Sequence, residues 1–120
     1  MREWLVILLV LLAGSAQAGE ADVVDVQVMR AGGGTWRFDV TVWHADTGWD
    51  HYADAWEVVA PDGTVLGTRT LLHPHVDEQP FTRSLSGVAI PDDITEVTVR
   101  AHDSVDGYGG REVVVAIPPD

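Results

Sequence analysis

The strongest constraint on this chain is a side-chain alternation of period two that recurs through residues 24–117, with no sustained 3.6-residue period beside it. Val24, Val26 and Val28 alternate with Asp25 and Gln27, and Trp36, Phe38, Val40 and Val42 alternate with Arg37, Asp39 and Thr41. Successive side chains of a strand point to opposite faces, so each such segment offers one face to a core and one to water. Further strands are predicted at 53–60, 64–72, 81–90, 95–101 and 111–117, the segment 81–90 bending near Gly87. Turn formers separate them: Gly32-Gly33-Gly34, Pro61-Asp62-Gly63 and Pro91-Asp92-Asp93. Seven short antiparallel strands predict an all-β fold, a two-sheet sandwich.

Residues 1–18 stand apart from this pattern. Arg2 precedes an apolar run over 5–13, and Ala16-Gln17-Ala18 is the small-residue tripeptide after which signal peptidase cuts. The run is shorter than the roughly 20 apolar residues that cross a bilayer. Residues 1–18 are therefore expected to be an export signal and 19–120 a single domain, periplasmic or secreted. The sequence contains no cysteine, so neither a disulfide nor a lipidated cysteine supports that domain. Its core must hold it alone.

Arg2 and Glu3 cancel, so residues 19–120 keep the whole net charge of −12, and every basic residue is arginine. Such a field repels phosphate backbones and anionic lipid, which argues against nucleic acid and membrane surfaces as partners, and it attracts cations. Most of these carboxylates are accounted for by solubility alone.

The segment Val97-Thr98-Val99-Arg100-Ala101-His102-Asp103, followed by a glycine-rich loop and Val113-Val114-Val115, resembles the final hairpin of bacterial immunoglobulin-like domains. The pattern as a whole resembles the immunoglobulin and fibronectin type III sandwiches, without the Cys…Trp…Cys signature of antibody domains. This resemblance implies an immunoglobulin-like architecture and nothing about activity.

Antiparallel tracing carries the histidines to one end. If the first strand runs down, the turns at 32–34, 61–63 and 91–93 lie at the bottom, and three other connections lie at the top. Those connections hold His44, His51, His73, His75 and His102, all five histidines of the chain. Asp46, Asp50, Asp77 and Asp103 are expected beside them. Imidazole with carboxylate is a ligand set for Zn2+ or Cu2+. The carboxylates are then either ligands themselves or partners that fix each imidazole's tautomer. His73-Pro74-His75 places two rings on one side of an extended chain. Against this, His44 shares the parity of Val40 and Val42 and can simply cap the core. His51 shares parity with the polar Glu57, and His102 with Thr98 and Arg100, so both are expected to face outward.

Trp49, Tyr52 and Tyr108 offer a second reading, an aromatic rim that grips a protein, peptide or glycan. Trp56 is expected in the core. No G-x-S-x-G elbow and no phosphate-cradling glycine loop before a helix is present. Ser104, His102 and Asp103 are chain neighbours that cannot face one another as a triad on a strand. The residues thus predict a metal-binding or accessory module and not an enzyme.

Overall fold

The computed structural model describes residues 19–119. The expected export signal, residues 1–18, lies outside the described residues. Seven strands are formed: β1 (Asp22–Arg30), β2 (Trp36–Trp43), β3 (Ala53–Val59), β4 (Val65–Thr70), β5 (Phe81–Val88), β6 (Glu96–Asp103) and β7 (Val113–Ala116). A 3-10 turn at Gly32–Gly34 joins the first two. The strands make two antiparallel sheets, β1-β2-β5 and β4-β3-β6-β7. The all-β sandwich expected from the alternation is what the chain forms.

Period two does the sorting. In β2, Trp36, Phe38, Val40 and Val42 are buried while Arg37 is exposed. In β6, Val97, Val99 and Ala101 enter the core, and Asp103 follows them in. Trp56 from β3 is fully buried at the centre, among Phe38, Val40, Val58 and Val99. Full burial of a large apolar side chain stabilises by about 1.5–3 kcal/mol, so this cluster is what a cysteine-free domain rests on. Trp56 Nε1 lies in it without a hydrogen-bond partner.

Two irregularities refine the simple pattern. The register slips between Val23 and Asp25, so Val23 is buried while Val24 is exposed, and inward parity resumes only at Val26. A bulge removes the strict alternation that the valines suggest. The second slip faces Trp36–Phe38, where Gly87 takes φ 75°, a backbone conformation open to glycine. That is the bend expected near Gly87.

Candidate functional site

The connection after β2 does not run straight to β3. Asp46 N–H donates to the His44 carbonyl (2.8 Å), and Thr47 N–H donates to the His51 carbonyl (3.0 Å), closing a tight turn around Gly48. The fold-back sets the His44 and His51 rings edge to face, with centroids 4.8 Å apart. Asp103, at the inward-facing end of β6, completes the arrangement from below. One ligand atom from each of His44, His51 and Asp103 lies within 4.8 Å of the others. It is the one such group of three or more among the described residues.

His44 is fully buried. Its Nδ1 lies 2.6 Å from Asp46 Oδ1 and its Nε2 lies 2.9 Å from the Gly19 carbonyl oxygen. Asp46 is a hub: Oδ1 also accepts from Ala53 N–H (3.0 Å) and Oδ2 from His75 N–H (2.7 Å). Its carboxylate thereby ties three separate chain segments together.

Asp103 is also fully buried, but only one of its oxygens is answered. Oδ1 accepts from His51 Nε2 (2.9 Å), Val105 N–H (2.9 Å) and Asp106 N–H (2.7 Å). Oδ2 has no hydrogen-bond partner. A buried acceptor left unpaired costs about 1–3 kcal/mol, and more when it is charged. Asp106 adds a second carboxylate oxygen at 3.2 Å from His51 Nε2.

These separations suit coordination as well as hydrogen bonding. Two ligand atoms bound at about 2.0–2.2 Å to one ion lie about 2.9–3.5 Å apart when their bonds open by 90–110°. The His51–Asp103, His51–Asp106 and His44–Gly19 contacts all fall in that interval. The widest pair of the group, at up to 4.8 Å, would have to close by about 1 Å to share an ion in that geometry.

The remaining histidines occupy two other places. His75 is buried and stacks on Phe81, ring centroids 3.9 Å apart and planes within 10°. Its Nε2 accepts from the Arg83 guanidinium (2.9 Å), so the neutral ring keeps its proton on Nδ1, which is buried with no partner. Burial, with help from the Arg83 and His73 charges, holds the His75 pKa below its usual value, against the opposing pull of Glu78 and Asp46. His73 is exposed and its ring lies 4.7 Å from that of His75, the side-by-side pair the H-x-H spacing implies. His102 faces outward from β6, as its parity requires, with Nδ1 2.6 Å from Asp54 Oδ1 and the ring edge-on to Tyr108. The sheet therefore separates His102 from its neighbour Asp103. Asp50 and Asp77 are exposed and make no hydrogen bond or ion pair to an imidazole.

The three candidate aromatics also divide. Trp49 is 67% exposed and packs edge to face on Tyr52 at 5.5 Å. Tyr108 instead lies under the Arg100 guanidinium (4.2 Å) on the outer sheet face. Burial, then its hydrogen bond to Glu57 and that residue's charge, raises the Tyr108 pKa. Sequence reasoning missed the Gly19 carbonyl, and which ring Asp54, Asp106 and Arg83 would each meet. No local pattern marks them, because each contact joins residues distant in sequence or on different connections.

A β-sandwich with a histidine–carboxylate group under one rim is the class that this fold and site define. No protein-family model matches the chain. A protein of Halomicrobium mukohataei named "Putative lipoprotein" is 49% identical over 96 residues, which is 80% of this chain and 47% of that protein. The chain thus spans about half the length of the curated relative it matches. Among solved structures, a hypothetical protein of Pyrococcus horikoshii aligns over 88% of this chain and 93% of its own, with a TM-score of 0.55 and 13% identity. A superoxide reductase in its oxidized state aligns over 88% of this chain and 94% of its own, with a TM-score of 0.52 and 11% identity.

These neighbours correct two expectations. The kinship with immunoglobulin and fibronectin type III domains is replaced by a likeness to the superoxide reductase fold. Period-two strands and turn spacing specify two packed sheets, and many sandwich families share that pattern. The expectation of a non-enzyme is likewise overturned: an enzyme is built on this fold, so the lack of familiar catalytic motifs excludes nothing.

Proposed function

We propose that this chain is an exported divalent-metal-binding domain whose ion is held by His44, His51 and Asp103, with Asp106 at the margin and Asp46 orienting His44. The single observation behind this reading is the meeting of His44, His51 and Asp103, one ligand atom of each within 4.8 Å of the others, at a buried carboxylate whose Oδ2 has no hydrogen-bond partner. A cation answers that oxygen where no hydrogen-bond donor does. Imidazole nitrogen with carboxylate oxygen suits Zn2+ or Cu2+, and the ion would supply Lewis acidity or, for copper, electron transfer. His75 and His102 are assigned other roles, His75 engaged by Arg83 and Phe81 and His102 by Asp54, and the exposed His73 lies beside His75.

Export rests on the basic, apolar and A-x-A character of residues 1–18, and the name of the Halomicrobium mukohataei relative agrees with it. No helix among the described residues is long and apolar enough to cross a membrane. The domain is assigned to the periplasmic or outer side of the cell envelope.

Chelator-treated protein, followed by thermal denaturation with added Zn2+ or Cu2+, tests this. At a hundredfold excess over Kd the gain is about 2.7 kcal/mol, on the order of 10 °C for a domain of this size. The isosteric Asp103→Asn variant and the His51→Gln variant are expected to lose that gain. A melting temperature indifferent to both ions overturns the proposal.

A further inference from the structure

Gly19 is the residue that residues 1–18, if cleaved after Ala18, would leave at the amino terminus, and it already touches the site. Its carbonyl oxygen is 2.9 Å from His44 Nε2. We infer that cleavage after Ala18 completes the metal centre, the freed α-amine and the carbonyl of Gly19 acting as ligands to the same ion. The inference rests on the metal-binding reading above and deepens it, favouring Cu2+ as the ion.

In the precursor the Gly19 nitrogen is a peptide nitrogen, whose lone pair is delocalised into the neighbouring carbonyl. Hydrolysis adds water across the Ala18–Gly19 bond, leaving a carboxylate on Ala18 and an amine on Gly19. The amine's ordinary pKa is about 7.7–8.0, so its lone pair becomes available at small cost near neutrality. Amine nitrogen and carbonyl oxygen of one residue are at most about 3.6 Å apart by bond geometry. Together with a metal they close a five-membered ring.

The segment behind Gly19 is anchored, which makes this more than a passing contact. Val23 N–H donates to the Arg111 carbonyl (2.8 Å), and Asp22 Oδ1 accepts from Arg111 N–H (2.8 Å). Ala21 is buried against Gly110, where a Cβ would stand 2.0 Å from the Ala21 carbonyl oxygen. Only a glycine lets the two backbones approach so closely. Only Glu20 separates Gly19 from this clamp, so little freedom is left to lose on binding an ion. Adding an amine nitrogen to two imidazoles makes the donor set nitrogen-rich, and such sets bind Cu2+ more tightly than Zn2+.

The test compares three proteins in a Cu2+ titration: one beginning at Gly19 with a free amine, one retaining Ala18, and one beginning at Gly19 but acetylated. The free-amine form is expected to bind at least about tenfold more tightly, the scale on which losing one supporting group weakens metal sites. Its visible absorption band is expected to lie at shorter wavelength. His44→Gln in the free-amine form is expected to remove that advantage. Equal affinity in all three forms, with binding still abolished by His51→Gln, overturns the inference and leaves the metal centre standing. No binding in any form overturns both. An exported protein that begins elsewhere than Gly19 by mass spectrometry also overturns it.

Discussion

The rim that carries residues 44–52, 71–80 and 104–112 and the rim that carries the turns at 32–34, 61–63 and 91–93 are closed by different kinds of bond. At the second rim the turns are closed from within: Gly63 N–H donates to the Ala60 carbonyl, Ile94 N–H to the Pro91 carbonyl, and Thr35 N–H to the Gly32 carbonyl. Apolar Trp36, Ile90, Ile94 and Ile117 line the cleft between them. At the histidine rim, beside the local turn around Gly48, bonds join distant segments: Asp46 to His75, His51 to Asp103, Tyr52 to Ser104 and Gly19 to His44. Local closure tolerates change. Closure through a buried carboxylate does not, because removing one partner strands the others.

The sharpest way to break this contrast is Asp46→Ala. It leaves the buried His44 ring and two backbone N–H groups without their acceptor, and a loss of about 3–5 kcal/mol in denaturant unfolding is expected. Next comes Gly110→Ala, whose Cβ collides with the Ala21 backbone; a loss of about 1–3 kcal/mol is expected from the forced displacement. Its counterpart Gly32→Ala meets nothing within 4 Å, and its stability is expected to stay within about 0.5 kcal/mol of the parent.

Acid provides a subtler probe. Because the folded protein holds the His75 pKa below the usual 6.5, the unfolded chain binds the proton more readily. The stability this residue contributes is therefore fully present above about pH 6.5 and is lost as pH falls through 6.5 toward the folded value. The difference in stability between the parent and His75→Gln, followed against pH by denaturant unfolding, should shrink in that window. A difference that stays constant removes His75 from the pH dependence. The smallest effect is expected from Trp49→Ala: the side chain is 67% exposed, so the melting temperature should hardly move. If the variant nevertheless loses capture of an envelope protein or glycan that the parent binds, the aromatic rim has a role beside the metal.

Much of the architecture could be read directly from the chain. The alternation located every strand to within a few residues, and parity alone sent Trp56 inward and His102 outward. It also hinted that His44 would lie on the core side, and His44 is fully buried. The site itself was less legible. His51, expected to face outward by parity with Glu57, is drawn partly inward to Asp103, because the turn around Gly48 ends the parity of the strand. Arg83 and the Gly19 carbonyl carry no sequence signature at all as imidazole partners.

What this sequence determines by itself is which face most strand residues take, the bulge at Val23–Asp25 excepted, and which connections share a rim, since a period of two and an antiparallel path are properties of neighbouring residues. Tertiary structure alone decided that the five histidines divide into His44 and the half-buried His51 at Asp103, His73 and His75 at Phe81 and Arg83, and an outward His102–Asp54 contact. Those distances depend on how loops fold back across the gap between two sheets. No local rule constrains that gap, and only the packing of the whole core closes it.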